Sequence, residues 1–225
     1  MVLVVGPTGS GKSTTLYATL NILNKPEVNI ITVEDPVEYR LPGINQVQTL
    51  QKAGLTFASA LRSILRSDPD IVLIGEVRDY ETAQIAVESA LTGHLVLTTL
   101  HTNDAPSAVT RLVEMGIEPF LVGSAVDSVL AQRLARRLCP KCAEPYTPDP
   151  ETLRAARFPW DEDEPVPTLY RAVGCSHCSR TGYRGRLALH EFMPITQEIE
   201  RLAAARASAA EVEEGAMAQG MVNLR

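Results

Sequence analysis

The first hundred residues contain four short apolar runs, which are separated by segments with helical spacing. The runs cover residues 2–5, 29–34, 71–74 and 94–101, and their β-branched and aliphatic side chains are typical of buried parallel strands. Residues 44–48 alternate in polarity, which predicts an edge strand. Because strands and helices alternate, the pattern predicts an α/β fold with a parallel sheet and helices on both of its faces.

Helices are predicted between these strands and after them. Between them, helical spacing covers residues 14–20, 57–65 and 80–91. After them, Asp104 is placed to cap a helix that runs to about Met115. From this point the chain changes from alternating strands and helices to a mainly helical pattern.

A stripe of apolar residues at every fourth position predicts a further amphipathic helix. The stripe consists of Val122, Val126, Leu130, Leu134 and Leu138. The other side of this helix carries Arg133, Arg136 and Arg137, which we interpret as a solvated face that also compensates the helix dipole.

The last third of the chain is less regular. Residues 143–174 hold many prolines and the acidic run 161–164, which predicts a loop-rich insertion with one short helix near residues 151–157. A turn and a strand are expected around residues 182–192, and alanine-rich helices from about Gln197.

The first predicted strand leads into a glycine-rich turn, Gly6 to Ser13, with the P-loop pattern of a glycine, four residues and Gly-Lys-Ser. A strand, a glycine turn and a helix N-terminus aim several backbone N–H groups at one point, where the helix dipole favours a phosphate. In this pattern Lys12 reaches the β- and γ-phosphates and the Ser13 hydroxyl ligates Mg²⁺. The predicted nucleotide-binding residues are Gly6, Thr8, Gly9, Ser10, Gly11, Lys12, Ser13 and Thr14. A chance glycine turn is the alternative.

Composition narrows the function classes. The 225 residues are 45% apolar, enough for a core, and they carry a formal net charge of −6 with a pI near 5.3. This acidic balance argues against a surface that binds duplex nucleic acid. No apolar run approaches the roughly 20 residues of a transmembrane helix, and no signal peptide is visible. Because a P-loop needs cellular nucleotide, we expect a cytoplasmic protein with reduced cysteines.

Polar residues end three of the predicted strands. Ligands of parallel α/β sheets bind at the carboxyl ends of the strands, so we expect Glu34, Glu76 and His101 near the nucleotide. The strand that helps to hold Mg²⁺ usually ends in aspartate, but here the acid is Glu76, which is predicted to hold a Mg²⁺ water or to act as base. Glu34 is the second candidate for activating water. Either acid could instead cap a helix. For His94, both a structural role and a role in nucleotide chemistry stay open.

Two Cys-x-x-Cys pairs form a second constellation, Cys139 with Cys142 and Cys175 with Cys178. Each pair places two thiolates on one side of a tight turn, and two such turns can close a tetrahedron around Zn²⁺. We expect this site to tie together the ends of the loop-rich insertion. Reduced buried cysteines or a redox pair are the alternatives, and His177 could replace a cysteine as ligand.

Four segments of the chain resemble, in order, the sequence boxes of the type II secretion and type IV pilus assembly ATPases. The segments are GPTGSGKST, then ITVEDPVEY as the Asp box (residues 31–39), RSDPDIVLIGEVRD with an atypical Walker B box (71–79), and TGHLVLTTLHTNDA with the His box (92–104). The resemblance extends from residue 1 to about residue 195. It implies a RecA-like P-loop NTPase core with a parallel-rich sheet, followed by a helical and small zinc-binding subdomain of the kind that secretion and pilus extension ATPases carry.

We divide the chain accordingly into a RecA-like core (1–138), a tetracysteine zinc-binding insertion (139–182) and a C-terminal strand and helical segment (183–225). We expect the sequence to be a piece of a longer protein, because Met1 stands at the start of a core strand and the end has no helix cap.

The resemblance also implies roles for individual residues. Glu34 would activate the attacking water, Glu76 would support Mg²⁺ or assist, and His101 would sense the γ-phosphate. Three arginines match family arginines near the phosphates of the same or a neighbouring subunit: Arg62, Arg66 and Arg78. Salt bridges on a helix surface are the alternative for these arginines.

As a whole, the resemblance implies a homo-hexamer that uses ATP, Mg²⁺ and Zn²⁺ and moves an inner-membrane platform protein from the cytoplasmic face of the plasma membrane, without membrane insertion or nucleic acid. Two other interpretations stay open. A RecA-like nucleic-acid translocase would need a basic channel with stacking aromatics, and only 5% of the residues are aromatic. A nucleotide-dependent assembly switch would bind ATP and hardly turn it over.

Overall fold

The computed structural model of the protein describes residues 1–224. These residues form two compact units: Met1–Arg133 together with the chain from Ala188 onward, and Leu134–Leu187. The predicted division into 1–138, 139–182 and 183–225 stays a prediction, because compactness does not show which segments fold independently.

The strands and α-helices of these residues are, in chain order, β1 (Val2–Val5), α1 (Lys12–Leu23), β2 (Ile30–Glu34), β3 (Asn45–Gln48), α2 (Phe57–Ile64), β4 (Ile71–Ile74), α3 (Tyr80–Leu91), β5 (Leu95–Leu100), α4 (Ala105–Glu114), α5 (Pro119–Ala125), β6 (Ser128–Leu138), β7 (Ala143–Tyr146), α6 (Pro150–Ala155), β8 (Leu169–Ala172), β9 (Tyr183–Pro194), α7 (Gln197–Ala204) and α8 (Ala209–Ala218). The four predicted core strands correspond to β1, β2, β4 and β5, and the predicted edge strand is β3.

The main sheet has seven strands in the order β3-β2-β4-β5-β1-β6-β9. The five neighbouring pairs from β3 to β6 all run parallel. The predicted α/β class with a parallel-rich sheet is therefore confirmed. Because the strands point the same way, the segments that follow β1, β2, β4 and β5 all leave the sheet at one edge.

Helices cover both faces of the sheet, as the alternation predicted. Successive residues of β1 show this division: Leu3 and Val5 pack in a core with α2, α3, α4, α5, α7 and α8. Val4 packs in a second core with Leu16, Tyr17 and Leu20 of α1. Side chains of a strand alternate between faces, so each buried strand contributes to both cores. Asp104 caps α4 as predicted, since its carboxylate accepts from the Ser107 N–H at 2.9 Å.

The predicted amphipathic helix through Leu138 is wrong. Residues 119–125 form α5, but Ser128–Leu138 is the strand β6, which pairs in parallel with β1. A spacing of four is a multiple of the strand period of two, so Leu130, Leu134 and Leu138 share one face of a strand equally well. The long-range pairing with β1 decided between the two structures.

Leu134–Leu187 forms the second compact unit. Its regular structure includes the antiparallel pair β7 and β8 and the helix α6, which is the short helix predicted near residues 151–157. The buried apolar side chains of this unit are Cys139, Pro148, Leu153 and Cys178. Two of these four are cysteines, so little ordinary core holds the unit together.

Candidate functional site

A cavity of about 580 Å³ opens at the edge of the sheet where β1, β2, β4 and β5 end. The residues that line it come from the segments that follow these four strands. They are Thr8, Gly9, Gly11, Lys12, Ser13, Thr14, Glu34, Asp35, Pro36, Glu38, Tyr39, Gly75, Glu76, Arg78, Thr99 and His101. The structure thus brings the P-loop together with the three polar strand ends named from the sequence.

The P-loop is a tight turn that its glycines permit. Gly6 has a φ of 140°, and a Cβ at this position would lie 2.5 Å from the backbone oxygen of Gln132, so only glycine fits. The Lys12 ammonium turns back onto this loop and donates to the carbonyls of Gly6 at 2.9 Å and Pro7 at 3.1 Å. Burial lowers the pKa of Lys12, while the charge of Glu76 opposes this shift.

The P-loop is also supported by Gln132 on β6, a residue that the sequence patterns do not indicate. Gln132 on β6 is 2% exposed, and its amide donates to the Ser10 carbonyl at 2.8 Å and accepts from the Thr15 hydroxyl at 2.8 Å. Both ends of this side chain are therefore satisfied by the P-loop and the start of α1. A polar residue inside an apolar strand would have been a signal, but the segment had been assigned to a helix.

Two predicted P-loop residues lie in the loop but do not line the cavity. Gly6 is the close-approach glycine described above. Ser10 is 3% exposed, and its hydroxyl oxygen has no hydrogen-bond partner among the described residues. The other six predicted nucleotide-binding residues line the cavity.

Glu34 at the end of β2 is a buried carboxylate, 4% exposed, that accepts three side-chain hydrogen bonds. Oε2 accepts from the Tyr17 hydroxyl, and Oε1 accepts from the Thr32 hydroxyl and from the Gln46 amide. Burial, together with the bond to Glu34, raises the pKa of Tyr17. Tyr17 and Gln46 were not selected from the sequence. The signal for Tyr17 is its place four residues after Ser13, on the same face of α1.

Glu76 lies between two cationic or potentially cationic groups. Its Oε2 is 2.6 Å from Arg78 Nε and 3.1 Å from His101 Nε2. The Glu76 side chain is only 13% exposed, so these partners matter more than in an open surface pair. Neither Glu34 nor Glu76 is a helix cap, because the Glu34 oxygens accept from three side chains of the sheet and α1, and Glu76 contacts Arg78 and His101.

Three other candidates lie outside the cavity. Arg62 pairs with Glu81 at 2.5 Å, and Arg66 donates to the Arg62 carbonyl at 2.8 Å. Both contacts are exposed; the first joins α2 to α3 and the second lies within α2 and the turn after it. The role of these two arginines stays a prediction. The Nδ1 atom of His94 lies 3.0 Å from the Ser89 carbonyl oxygen on α3.

The four cysteines converge in the second compact unit. They are free, and their four sulfur atoms lie within 4.8 Å of one another. Neighbouring Sγ atoms are 3.8 Å apart for Cys142 and Cys178, 3.9 Å for Cys175 and Cys178, and 4.0 Å for Cys139 and Cys175. Zinc–sulfur bonds of about 2.3 Å in a tetrahedron place sulfurs about 3.8 Å apart, so the donor set fits Zn²⁺.

Two backbone N–H groups support thiolate chemistry in this cluster. The Cys175 and Gly182 amides each lie 3.2 Å from Cys178 Sγ. These bonds, that of Cys175 first, lower the pKa of Cys178 to about 6, whereas burial raises the pKa of Cys142 to about 12. The first proton is therefore lost from Cys178. His177 is not among the converging groups, since its ring contacts the Arg184 guanidinium instead.

Comparison with known proteins gives the family. The family model described as "Type II/IV secretion system protein" matches residues 1–225. This chain belongs to the type II/IV secretion system protein family. The resemblance read from the four sequence boxes is confirmed.

Relatives in this family are highly similar over 90% or more of the chain. The type IV pilus assembly ATPase PilB of Myxococcus xanthus is 56% identical over 226 residues, which cover 100% of this chain and 40% of that protein. The type II secretion system ATPase E of Vibrio cholerae is 56% identical over 202 residues, 90% of this chain and 40% of that protein. The chain therefore spans about 40% of the length of these family members.

Solved structures of secretion and pilus proteins share the fold. The pilus retraction motor PilT with bound ADP is 26% identical, with a TM-score of 0.65 over 99% of this chain and 58% of that one. The VirB11 ATPase of the Brucella suis type IV secretion system is 31% identical, with a TM-score of 0.51 over 59% of this chain and 43% of that one. Within residues 1–224, no helix combines the length and the apolar character needed to cross a membrane.

Proposed function

We propose that this chain is the motor part of an ATPase that powers type II protein secretion or type IV pilus assembly. The observation that carries the proposal is the cavity where Lys12, Glu34, Glu76 and His101 meet at the carboxyl edge of a parallel sheet. We describe this core as RecA-like on the strength of the sequence resemblance. The printed names of the family members support the choice of reaction and machine.

The P-loop would bind the triphosphate. The backbone N–H groups at the start of α1 face the phosphates, and Lys12 exchanges its present carbonyl partners, Gly6 and Pro7, for β- and γ-phosphate oxygens. The Ser13 hydroxyl would ligate Mg²⁺, and Glu76 would accept from a water of that ion. A half-buried lysine whose pKa burial lowers gains most from an added anion, so triphosphate binding keeps it charged.

Hydrolysis would proceed by in-line attack of water on the γ-phosphorus. As the new P–O bond forms, the bond from the γ-phosphorus to the β,γ-bridging oxygen breaks, ADP leaves, and the water proton passes to the Glu34 carboxylate. His101 would sense the γ-phosphate through its link to Glu76. Arg78, and Arg62 or Arg66 from a neighbouring subunit, would neutralise charge on the transferred group.

The rest of the proposal concerns assembly. The chain would work in a homo-hexamer on the cytoplasmic face of the inner membrane, where turnover shifts one subunit against the next and moves a platform protein. Cys139, Cys142, Cys175 and Cys178 would hold a structural Zn²⁺, for which their spacing is suitable. The ion would brace the second unit and take no part in hydrolysis.

The test is ATP hydrolysis by the full-length protein carrying Glu34→Gln or Glu76→Gln. We expect Glu34→Gln to lower kcat by about 10²–10⁴-fold, the range for losing a general base, and Glu76→Gln to lower it while raising the Mg²⁺ requirement. The matched control is Glu27→Gln in the exposed turn after α1, which should change nothing. If both cavity variants turn over like the wild type, or if single-stranded DNA stimulates hydrolysis strongly, the proposal is wrong.

A further inference from the structure

The proposed base, Glu34, is held by more than its own strand. An ionised carboxylate offers about four lone-pair positions, two on each oxygen. Oε1 uses both of its positions, one on the Thr32 hydroxyl and one on the Gln46 amide, 3.2 Å away. Oε2 accepts a single side-chain hydrogen bond, from Tyr17. The remaining lone pair that can take a water proton is therefore on Oε2.

Tyr17 is placed to fix that oxygen. It lies four residues after Ser13 on α1, and its ring is 1% exposed in the core between α1 and the sheet. Its hydroxyl donates to Glu34 Oε2 and accepts from the Glu38 N–H at 3.3 Å. One hydroxyl thus connects the helix that follows the P-loop, the end of β2 and the loop after β2.

A phenol suits this position because it stays a donor. Burial and the neighbouring carboxylate raise the pKa of Tyr17, so the hydroxyl keeps its proton throughout the physiological range. Because this hydroxyl donates its proton to Oε2, it orients the carboxylate. The Tyr39 ring packs against Tyr17 in a T-shaped pair, with ring centroids 4.7 Å apart, and limits its movement.

We propose that Tyr17 is a positioning residue that presents Glu34 Oε2, through a buried hydrogen bond, as the proton acceptor for the attacking water. The inference rests on the proposed function, because it needs Glu34 to be the base. It assigns a role to a side chain that lines no part of the cavity and touches no predicted ligand. Because Tyr17 belongs to the P-loop helix, it also makes the position of the base depend on the position of the phosphate-binding helix.

The test is Tyr17→Phe in the full-length protein, which removes one oxygen and keeps the ring in the core. We expect kcat to fall roughly 10- to 100-fold, the factor that one hydrogen bond to a charged group is worth. KM for ATP should change less than about threefold, since Tyr17 does not contact the P-loop cavity. The matched control is Tyr80→Phe at the start of α3, where the ring is 50% exposed; it should behave like the wild type.

The split between kcat and KM separates positioning from packing. If Tyr17 orients Glu34, Tyr17→Phe lowers kcat at saturating ATP while ATP binding and the urea midpoint of unfolding stay close to those of the wild type. A loss confined to KM, or a fall in kcat no larger than that of Tyr80→Phe, would show a purely structural role and overturn the inference.

The double variant Tyr17→Phe with Glu34→Gln distinguishes a failure of the inference about Tyr17 from a failure of the proposed function. If Tyr17 acts through Glu34, adding Tyr17→Phe to Glu34→Gln should lower kcat less than about twofold further, whereas a structural effect adds in full and contradicts the inference. A large loss in Glu34→Gln with none in Tyr17→Phe would sink the inference alone. No loss in Glu34→Gln would remove the proposed base itself.

Discussion

The two sites of this protein are built in opposite ways. The cavity at the P-loop collects side chains from four strand ends of a seven-stranded sheet, with a large apolar core on each face. The cysteine cluster lies in a unit whose buried apolar side chains are Cys139, Pro148, Leu153 and Cys178. The cavity at the P-loop is supported by an apolar core that needs no ligand. In the second unit, the cysteines that would bind the metal are themselves a large part of the buried core.

The polar groups of the two sites differ in the same way. Glu34 and Glu76 already have partners within the protein, in Tyr17, Arg78 and His101 among others. The four sulfur atoms mainly face one another, at 3.8 to 4.0 Å for the neighbouring pairs. A preformed site loses function when one partner is removed, whereas a site that is its own scaffold loses structure.

The largest expected effect is the loss of structure in Leu134–Leu187 when metal is removed. Structural zinc contributes on the order of 10 kcal/mol in small domains that lack a core. Treating the full-length protein with a strong chelator should speed amide hydrogen exchange across this unit by about 100-fold or more. Exchange in β1, β4 and β5 should not change.

Addition of Zn²⁺ after the chelator is removed should restore the slow exchange, which excludes damage by the chelator itself. Protein that is purified with far less than one zinc per chain, yet shows slow exchange in Leu134–Leu187, would show that the unit needs no metal. The contrast between the two sites would then be wrong.

A smaller loss of stability is expected when Gln132, which supports the P-loop from β6, is replaced. Gln132→Ala removes the buried bonds to Ser10 and Thr15, and it leaves their groups unsatisfied. We expect a loss of about 2 kcal/mol in the free energy of unfolding and weaker ATP binding, because the P-loop loses its support. Urea unfolding and nucleotide titration measure the two quantities.

The matched control is Gln84→Ala on α3, whose amide donates to the Glu88 carboxylate at 2.8 Å at an exposed position. It should cost less than about 0.5 kcal/mol. Equal losses in the two variants would mean that Gln132 supports the loop no more than an ordinary surface residue supports its helix.

The smallest effect is expected at the surface of the first unit. The Arg62–Glu81 pair has side chains 54% and 56% exposed, so Arg62→Ala should change stability by less than about 1 kcal/mol. Arg111→Ala, which breaks the exposed pair with Glu114, is the control. A loss of more than about 2 kcal/mol would show that Arg62 has a structural role. A loss of turnover in the assembled protein, with stability unchanged, would support action on a neighbouring subunit.

The same contrast explains what could be read from the sequence. The P-loop, the strand ends Glu34 and Glu76, and the cysteine pairs were found because each is a local pattern of residue types. Gln132 was missed because its segment has a spacing of four that suits a helix and a strand alike, and only pairing with β1 resolves it. Tyr17 was missed because a tyrosine in a predicted helix is interpreted as a core residue. Its hydrogen bond to Glu34 joins two positions that are distant in sequence and that only the fold brings together.

The three predicted arginines show what a sequence pattern cannot predict, which is whether a matching residue reaches the cavity of its own chain. Arg78 reaches the cavity beside Glu76, whereas Arg62 contacts Glu81 on α3 and Arg66 contacts the Arg62 carbonyl on α2. All three matched the family equally well in the sequence. A pattern match gives the identity of a residue, but the chain that it serves depends on the assembly.

The most direct measurement of the central claim is a crystal structure of the full-length protein with Mg²⁺ and a non-hydrolysable ATP analogue. The account predicts γ-phosphate oxygens within about 3.2 Å of Lys12 Nζ, and a water between the γ-phosphorus and Glu34 Oε2 at hydrogen-bond distance from the carboxylate. An analogue bound at the P-loop with no water within reach of Glu34, or bound elsewhere on the chain, would contradict it.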